Sequence, residues 1–483
     1  MKYVLKMTWR TIRSFFGRFS AILLIVALSA GFFAGLKITT AAMLNVGNNY
    51  LNNQNFYDFR LLSTIGFTKD EVDKLASLDG IEKAEGTKTA DILLESDGTV
   101  RPFKMLALPE SINLPSLKSG RLPEKTNECL ADAKRFTEQD IGMVIRVADE
   151  NDESASSSLK ESKYTIVGLA SSPMYIGLDR GSTSIGNGSV YTFLYVLPEC
   201  FTGEAFTEVN LKLVKSEKIY SDEYETLIDS YKDKVNELLQ SVTDERYNNL
   251  LKEYGVTAEI AEAMGFTPPS TYLLTRDENA GYISFQNDTD ILESVANIFP
   301  VFFIAIAILV CATTMSRMVD EERTQIGVLK ALGFSNAAIV AKYMLYAGSA
   351  TVIGWGIGFF SCTFALPHIF WLAYNAIYNF APMTYLFSPK LALITLTAAL
   401  ISILGTAFVS CLNTLKSVPA ALIRPRAGKA GKRVFLEKIK PAWKRLKFLQ
   451  KITIRNMFRY KQRLFMMLIG ISCCAGLLVT GFG

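Results

Sequence analysis

The sequence predicts a membrane protein that combines an α-helical transmembrane bundle with one large α/β extracytoplasmic domain. Among its 483 residues are several uncharged apolar stretches, and a helix needs about 20 such residues to cross a bilayer. Basic and acidic residues are also distributed unevenly along the chain. Residues 44–293 hold 24 basic and 42 acidic residues, a balance of −18, which leaves 27 basic and 4 acidic residues elsewhere, a balance of +23. Two regions of opposite charge predict two compartments for one chain.

Uncharged stretches mark five candidate transmembrane helices, at 19–42, where the uncharged part is 19–36, and at 294–316, 343–366, 391–415 and 464–483. Lys and Arg are enriched in cytoplasmic segments. Residues 1–18 are basic, and residues 416–463 contain 16 basic residues and one acid. An even number of spans between these two segments places both in the cytoplasm. The long uncharged stretch Tyr343–Pro389 therefore counts as one span followed by an aromatic segment, which gives four spans. The sequence thus predicts a multi-pass protein of the cell (plasma) membrane with a cytoplasmic N-terminus.

The remaining segments follow from this topology. We expect an extracytoplasmic domain at 43–293, a cytoplasmic loop at 317–342, an aromatic outer loop at 367–390 whose rings form a belt at the membrane interface, and a basic cytoplasmic linker at 416–463. Within the domain, Thr68 and Glu71 form a capping-box pattern that opens a helix, and a second helical region runs over 221–264 with a break near Gly255. Alternating apolar residues predict strands near 92–94, 103–108, 144–147, 164–169, 190–196 and 209–214.

Residues 8–36 and 453–481 align without gaps, which suggests an internal repeat. Small residues recur every four positions in both copies, on one helix face, where they allow helices to approach closely. The helix-packing candidates are Ala27, Gly31 and Gly35 in the first span, and Ala350, Gly354 and Gly358 in the third. Two basic-flanked membrane helices also look alike by chance. If the repeat is real, the fifth helix opens a second copy, and we expect a truncated chain or one part of a split protein.

Enzyme chemistry finds little support in the sequence. His368 is the only histidine and lies in an aromatic membrane-edge segment, no G-x-x-x-x-G-K-[ST] phosphate loop is present, and the apolar stretches of the spans carry no charged residue. Uncharged spans argue against an ion-coupled transporter. We expect no cofactor and no metal, and a basic linker that meets membrane lipids rather than nucleic acid. Cys129 and Cys200 are the only cysteines of the outer domain. They could form a disulfide outside the cytoplasm, or they could be two unrelated free cysteines, and the sequence does not decide between these alternatives.

The loop between the second and third spans has the most informative local pattern. Charged residues up to Arg323 are followed by a short amphipathic helix over 325–332, a helix stop at Gly333 and a capping Ser335. A compact helix of this kind can dock into the groove of a partner. A simple helical connection between two spans is the alternative.

This loop resembles that of the FtsX-like, MacB-type permeases of ABC transporters, through Glu322-Arg323 followed by Ile326-Gly327-Val328-Leu329-Lys330-Ala331-Leu332-Gly333, and through Pro419–Pro425 after the fourth span. The resemblance implies a permease subunit that transmits the ATP-driven motion of a cytoplasmic ABC ATPase dimer to the outer domain. It implies ATPase coupling through Glu322, Arg323, Gln325, Gly327, Lys330 and Gly333. It also implies a second permease half or homologous permease as partner.

What such a permease moves is left open by the resemblance, which covers export or extraction of a lipid, lipoprotein or peptide and regulation of an extracytoplasmic process. The chain itself is then no enzyme, because ATP hydrolysis belongs to the partner. A membrane-anchored extracytoplasmic sensor or scaffold without an ATPase is the alternative function.

Overall fold

The computed structural model of the protein describes residues 2–152, 157–265, 267–383, 385–423 and 447–459, with 464–465, 468–472, 475–476 and 479 near the C-terminus. The predicted fifth span at 464–483 and the predicted basic linker at 416–463 lie in large part outside these described residues.

The regular elements follow one another along the chain, first as α1 Lys2–Ser14, α2 Phe16–Asn53, β1 Phe59–Phe67, α3 Lys69–Ala76, β2 Ile81–Thr87, β3 Thr89–Ser96, β4 Thr99–Ala107, β5 Ser116–Gly120, β6 Glu128–Asp132, β7 Val144–Val147, β8 Lys163–Ser171, β9 Thr192–Val196 and β10 Phe206–Leu213. They continue as α4 Asp222–Tyr254, α5 Ala258–Ala263, β11 Thr271–Leu274, α6 Ala280–Glu321, α7 Arg323–Ala331, α8 Asn336–Tyr374, α9 Pro389–Leu415, α10 Pro419–Ile423 and α11 Phe448–Arg459.

The chain divides into two compact units. A helical unit comprises Met1–Ala41, Leu292–Ile369 and Tyr385–Gly483, and an α/β unit comprises Ala42–Ile291 and Phe370–Thr384. The predicted fold class, an apolar helical bundle plus a large α/β domain, is confirmed.

Four of the described helices, α2, α6, α8 and α9, are long and apolar enough to cross a membrane. Three of them extend well beyond the predicted spans, because α2 begins at Phe16 and ends at Asn53, α6 covers Ala280–Glu321 and α8 covers Asn336–Tyr374. Hydrophobicity marks only the apolar part of a helix, whereas backbone hydrogen bonding continues through polar residues. The helices are therefore longer than the predicted membrane segments, whose bounds stay a prediction.

Charged residues bracket the apolar part of the α2–α6 pair within the helical unit. Arg18 Nη2 lies 2.8 Å from Glu321 Oε1, and Lys37 Nζ lies 2.9 Å from Glu293 Oε1. Both pairs are partly exposed, with 24% and 42% of the side chains accessible in the first. Exposed pairs of this kind contribute little stability. They lie at the two ends of the α2–α6 contact within this unit.

The α/β unit contains a four-stranded sheet in the order β11-β1-β10-β2 and a seven-stranded sheet in the order β5-β8-β6-β9-β4-β3-β7. The smaller sheet packs against α3 and α4 through an apolar core that includes Leu61, Leu75, Val209 and Ile228. The larger sheet is mixed, since β4 pairs with β9 and β6 with β8 in parallel.

Local signals predicted several elements of this unit. Thr68 and Glu71 form the expected capping box at the start of α3, and Gly255 ends α4 in the left-handed conformation, with φ +66°. The six predicted strands correspond to β3, β4, β7, β8, β9 and β10. The strands β1, β2, β5, β6 and β11 were not predicted. In β2, for example, Glu82, Lys83 and Glu85 obscure the apolar alternation.

The aromatic segment predicted at 367–390 differs from the expected membrane-interface belt. Its residues 370–384 belong to the α/β unit, where Tyr378 is 2% exposed and donates a 2.6 Å hydrogen bond to Asp288 Oδ2. Phe380 packs against Tyr50 and Phe285. Aromatic composition alone cannot distinguish headgroup contact from protein contact. Burial inside the unit therefore corrects the prediction for these rings.

Cys129 and Cys200, for which the sequence left a disulfide open, are free thiols in the structure. Both are fully buried. The Cys200 thiol donates a hydrogen bond to the Thr126 carbonyl oxygen, with Sγ and O 3.0 Å apart. Burial raises the pKa of the Cys129 thiol well above its usual value, so the thiol stays protonated and unreactive.

Candidate coupling site

The segment Glu322–Ser335, which we name the connector, joins α6 to α8 and contains α7. It follows α6 directly, because Glu322 N–H still donates to the Met318 carbonyl, at 2.9 Å. It ends as the sequence predicts. Gly333 has φ +87°, which permits the helix stop, and the Ser335 hydroxyl accepts a 3.2 Å hydrogen bond from Ala338 N–H at the start of α8.

Glu322, which the resemblance assigns to ATPase coupling, is buried, and its role in coupling stays a prediction. Only 7% of the residue is exposed. Its Oε2 accepts hydrogen bonds from Lys342 Nζ at 2.7 Å and from the Tyr343 hydroxyl at 2.6 Å. Lys342, at 6% exposure, is equally buried. The carboxylate thus ties the end of α6 to the first turns of α8.

Arg323 and Lys330 also bond to the chain itself. The Arg323 guanidinium donates to the carbonyl oxygen of Ala421 in α10. Lys330 Nζ donates to the carbonyl oxygens of Leu415 and Ser417, at 2.7 and 3.1 Å. A cation near the last carbonyls of a helix is favourable because these carbonyls lack intrahelical partners. These two side chains hold α7 against the end of α9 and against α10.

Gly327 is a point of close approach between α7 and α10. A Cβ atom at this position would lie 2.8 Å from Ile423 Cγ1 and 3.1 Å from Leu422 Cβ. Ile326, beside it, is 1% exposed and belongs to the core of the helical unit with Leu422 and Ile339. The inner face of α7 is therefore packed against three other helices of the unit.

The outer face of α7 presents apolar side chains to solvent. Gln325 is exposed, and Val328, Leu332 and Phe334 are 45%, 71% and 41% exposed. Sequence reasoning selected Gln325 but missed the three apolar residues. The spacing of four between Val328 and Leu332 was the signal that could have found these two, whereas Phe334 follows the helix stop at Gly333. Lys342 was also missed, although it is the last charge before the uncharged stretch 343–389.

The small-residue candidates of the first and third spans meet in one seam between α2 and α8. No side chain fits at Gly358, because a Cβ atom there would overlap the backbone of Ala27. Gly354 faces the backbone of Leu23 in the same way. Gly31 faces the backbone of Gly358, Gly35 lies against Cys362, and Ala350 is fully buried nearby.

In the part of the chain that the structure describes, no group of three or more His, Cys, Asp and Glu side chains is arranged to hold a metal ion. The chemistry of the connector is therefore that of hydrogen bonds, ion pairs and an apolar surface. Such an arrangement can pass a displacement of α7 to α6, α8, α9 and α10, because each of these helices is bonded to or packed against the connector.

Residues 297–419 match the protein-family model described as FtsX-like permease C-terminal. No protein of curated function matches the chain significantly in sequence. Among solved structures, the periplasmic region of MacB from Actinobacillus actinomycetemcomitans is similar, with 11% identity, a TM-score of 0.25 and coverage of 48% of this chain and 95% of that one. The extracellular domain of the noncanonic ABC-type transporter YknZ from Gram-positive bacteria has 10% identity, a TM-score of 0.23 and coverage of 36% and 95%.

The matched segment 297–419 includes most of α6, the connector, α8 and α9. It contains the coupling residues predicted in the loop, from Glu322 to Gly333, and ends at the start of α10. The family consists of membrane subunits of ABC transporters, which are distinct from the ATPase. By this match, residues 297–419 are similar to the C-terminal part of FtsX-like permeases.

Proposed function

We propose that the chain receives the motion of a separate ABC ATPase at the connector and transmits it through α2 and α6 to the α/β unit. The single observation that carries this proposal is the division of the connector into two faces. The inner face is bonded to α8, α9 and α10, whereas the outer face exposes Val328, Leu332 and Phe334. An exposed apolar helix face at a membrane edge suits insertion into a groove of a partner.

In this proposal the predicted coupling residues take two roles. Glu322, Arg323, Gly327 and Lys330 hold the connector to the bundle, and Gly333 ends its helix. Gln325 and the three exposed apolar residues contact the ATPase. The uncharged α2–α8 seam favours helix movement over a conducting pore, because small residues let helices pack and slide. The work done on the α/β unit then serves a lipid, lipoprotein or peptide, or an extracytoplasmic process.

The proposed orientation places the N-terminus and the connector in the cytoplasm and the α/β unit outside. It is supported by the balance of −18 in residues 44–293 against +23 elsewhere, since short cytoplasmic segments are enriched in Lys and Arg. Ser189 and Ser335 are both exposed and can be changed to cysteine. A membrane-impermeant maleimide should label S189C on intact cells, and S335C only after permeabilisation. The reverse pattern would overturn the orientation.

Coupling is tested by Leu332→Asp in the full chain, purified from membranes of its source cells. The wild-type chain should bring down a nucleotide-binding protein and hydrolyse MgATP in a vanadate-sensitive manner. The variant should lose both, because Leu332 is 71% exposed and its replacement leaves the inner face of α7 intact. Leu178→Asp is the matched control, at 50% exposure in the α/β unit, and should retain both. Retained hydrolysis in Leu332→Asp rules out this docking face.

The sensor or scaffold alternative differs in one readout. It requires no ATPase. A purified sample of the wild-type chain would then contain no nucleotide-binding protein and would show no vanadate-sensitive ATP hydrolysis.

A further inference from the structure

Within the α/β unit, two segments next to the long helices are joined by a buried polar cluster. The residues 56–58 follow the end of α2 at Asn53, and the residues 275–279 precede the start of α6 at Ala280. Asp58 and Arg276 are each 2% exposed. The two segments are separated by more than 200 residues in sequence, so their contact is a product of the fold.

Arg276 binds three consecutive residues beyond α2. Its Nη2 lies 2.8 Å from Asp58 Oδ1. Its Nε donates to the Tyr57 carbonyl oxygen at 2.8 Å, and its Nη2 also donates to the Phe56 carbonyl oxygen at 3.2 Å. A planar guanidinium can hold a carboxylate and two carbonyls at once, which a lysine ammonium cannot match in geometry.

Asp58 is in turn fixed to the four-stranded sheet and to α4. Its Oδ2 accepts from Leu213 N–H at 2.9 Å and lies 3.4 Å from Lys212 Nζ. Its Oδ1 accepts from the Tyr224 hydroxyl at 3.0 Å. Burial, followed by the neighbouring Arg276, lowers the pKa of Lys212. The carboxylate therefore connects both helix ends to β10 and to α4.

The start of α6 is fixed to the same place. The Asn279 side-chain oxygen accepts from Tyr282 N–H at 3.0 Å, which caps the first turn of α6. The Tyr282 ring stacks near Phe56, with ring centroids 6.2 Å apart. A movement of α6 along its axis therefore acts directly on residues 56–58, and a movement of α2 acts on 275–279.

A buried ion pair is a poor device for stability alone, because desolvation of the charges offsets much of their attraction. It is an effective device for fixing a geometry, since every donor and acceptor must be matched. The geometry points to the cluster Asp58, Lys212, Tyr224 and Arg276 as the joint that binds α2 and α6 into one lever and passes their motion to β10. This inference rests on the proposed function.

The test compares Arg276→Gln with Arg180→Gln by hydrogen–deuterium exchange in the full chain, in phosphatidylcholine nanodiscs. Arg180 is a matched control, because it forms a buried pair with Asp132 of β6 and makes no bond to residues 56–58, with Nε and Oδ2 2.8 Å apart. Arg180 is 3% exposed and Asp132 is fully buried. Arg276→Gln should speed exchange of residues 280–291 about tenfold or more, since exchange there follows local opening. Arg180→Gln should speed exchange there much less, because Arg180 reaches the start of α6 only indirectly, through the Gly177 carbonyl oxygen.

A second variant, Asp58→Asn, should reproduce the effect on residues 280–291, and the β3–β4 hairpin at 89–107 reports whether either variant keeps its fold. Equal exchange at 280–291 in the Arg276 and Arg180 variants, or no change in both, overturns the inference. So does faster exchange at 89–107 to the same degree as at 280–291, which would mean general unfolding.

The second arm uses the purified complex with its nucleotide-binding protein, with and without MgATP and orthovanadate. Wild type and Arg180→Gln should show a nucleotide-dependent change in exchange over β10. Arg276→Gln should hydrolyse ATP at the wild-type rate but lose that change. If it keeps the change, the cluster is not the joint. If no ATPase accompanies the wild-type chain, the proposed function fails, whereas the first arm still decides whether the cluster joins the helix ends.

Discussion

In the α2–α8 seam, glycines bring two apolar helices to backbone contact, and no charged side chain takes part. The connector, in the same unit, is held by side chains that carry charge: Glu322 with Lys342, Arg323 with a carbonyl of α10, and Lys330 with two carbonyls near the end of α9. Helices packed on small residues can adjust along their contact with little penalty. Paired charges hold one arrangement, because any shift leaves a buried group unpaired.

This difference assigns the two regions separate tasks. Contacts that fix geometry lie at the ends of the long helices, where motion enters or leaves in the proposed function. Contacts that tolerate movement lie along their apolar middles. The pairs Arg18–Glu321 and Lys37–Glu293 follow the same division, since they flank the uncharged part of α2 and α6.

The largest effect is expected from Glu322→Ala. Its loss leaves the Lys342 ammonium buried without its carboxylate, and breaking one partner of such a pair costs about 3–5 kcal/mol. Glu321→Ala, one residue earlier, removes an exposed partner of Arg18 and should cost about 1 kcal/mol or less. Chemical unfolding of the full chain in detergent measures both. Equal losses in the two variants would contradict the distinction between the buried and the exposed carboxylate.

Gly358→Val should have the next largest effect. A Cβ atom at position 358 overlaps the backbone of Ala27, and overpacking of this kind costs about 1–3 kcal/mol. Gly356→Val is the control on the same helix, because a Cβ atom there meets nothing within 4 Å. The same unfolding measurement should separate the two variants. A stable Gly358→Val protein would show that the seam opens without penalty.

Sequence reasoning was most successful where the signal is local. Gly333 ends α7 and Ser335 caps α8 because both act within a few residues of their own position. The spacing of four likewise selected Gly354 and Gly358 before any partner helix was known. The partners themselves could not be predicted. Lys342 lies 20 residues from Glu322, and Leu422 and Ile423 lie nearly a hundred residues from Gly327. These pairings depend on how the helices pack.

Burial was the second quantity that the sequence left undetermined. Glu322 and Arg323 have the residue types of a polar docking surface, yet one is buried and the other bonds to α10. Tyr378 and Phe380 have the composition of a membrane-interface belt, yet they pack within the α/β unit. In each case the polar or aromatic character of the residue was identified correctly. Its burial could not be predicted, because the residues that cover it are distant in sequence.

A smaller, pH-dependent effect is expected at the Arg121–Glu128 pair of the α/β unit. The bidentate contact with Arg121, together with the backbone N–H of Glu124, lowers the pKa of Glu128 from 4.5 to about 2. A lowered folded-state pKa means that the carboxylate stabilises the fold above about pH 4.5, and that this contribution is lost as the pH falls towards 2.

Arg121→Gln should therefore increase exchange of residues 128–132 at pH 6, and the difference from wild type should shrink as the pH approaches 2. Lys74→Gln provides the control, because it removes an exposed pair with Glu245 that lies outside these strands. A difference that does not depend on pH would refute the assignment to Glu128.

The smallest effect is expected when the full chain is unfolded with and without excess dithiothreitol. Both thiols of the α/β unit are free, and the Cys200 thiol is held by the Thr126 carbonyl. Reductant should then leave the unfolding free energy unchanged. A disulfide between Cys129 and Cys200 would close a loop of about 70 residues and contribute about 4 kcal/mol by loop entropy, so its reduction would lower the unfolding free energy measurably.

Cys200→Ser, which keeps a donor for Thr126, should likewise change stability by less than about 1 kcal/mol. A marked loss with reductant in wild type, but not in Cys200→Ser, would mean that the two cysteines are bonded and that a covalent link fixes this part of the sheet.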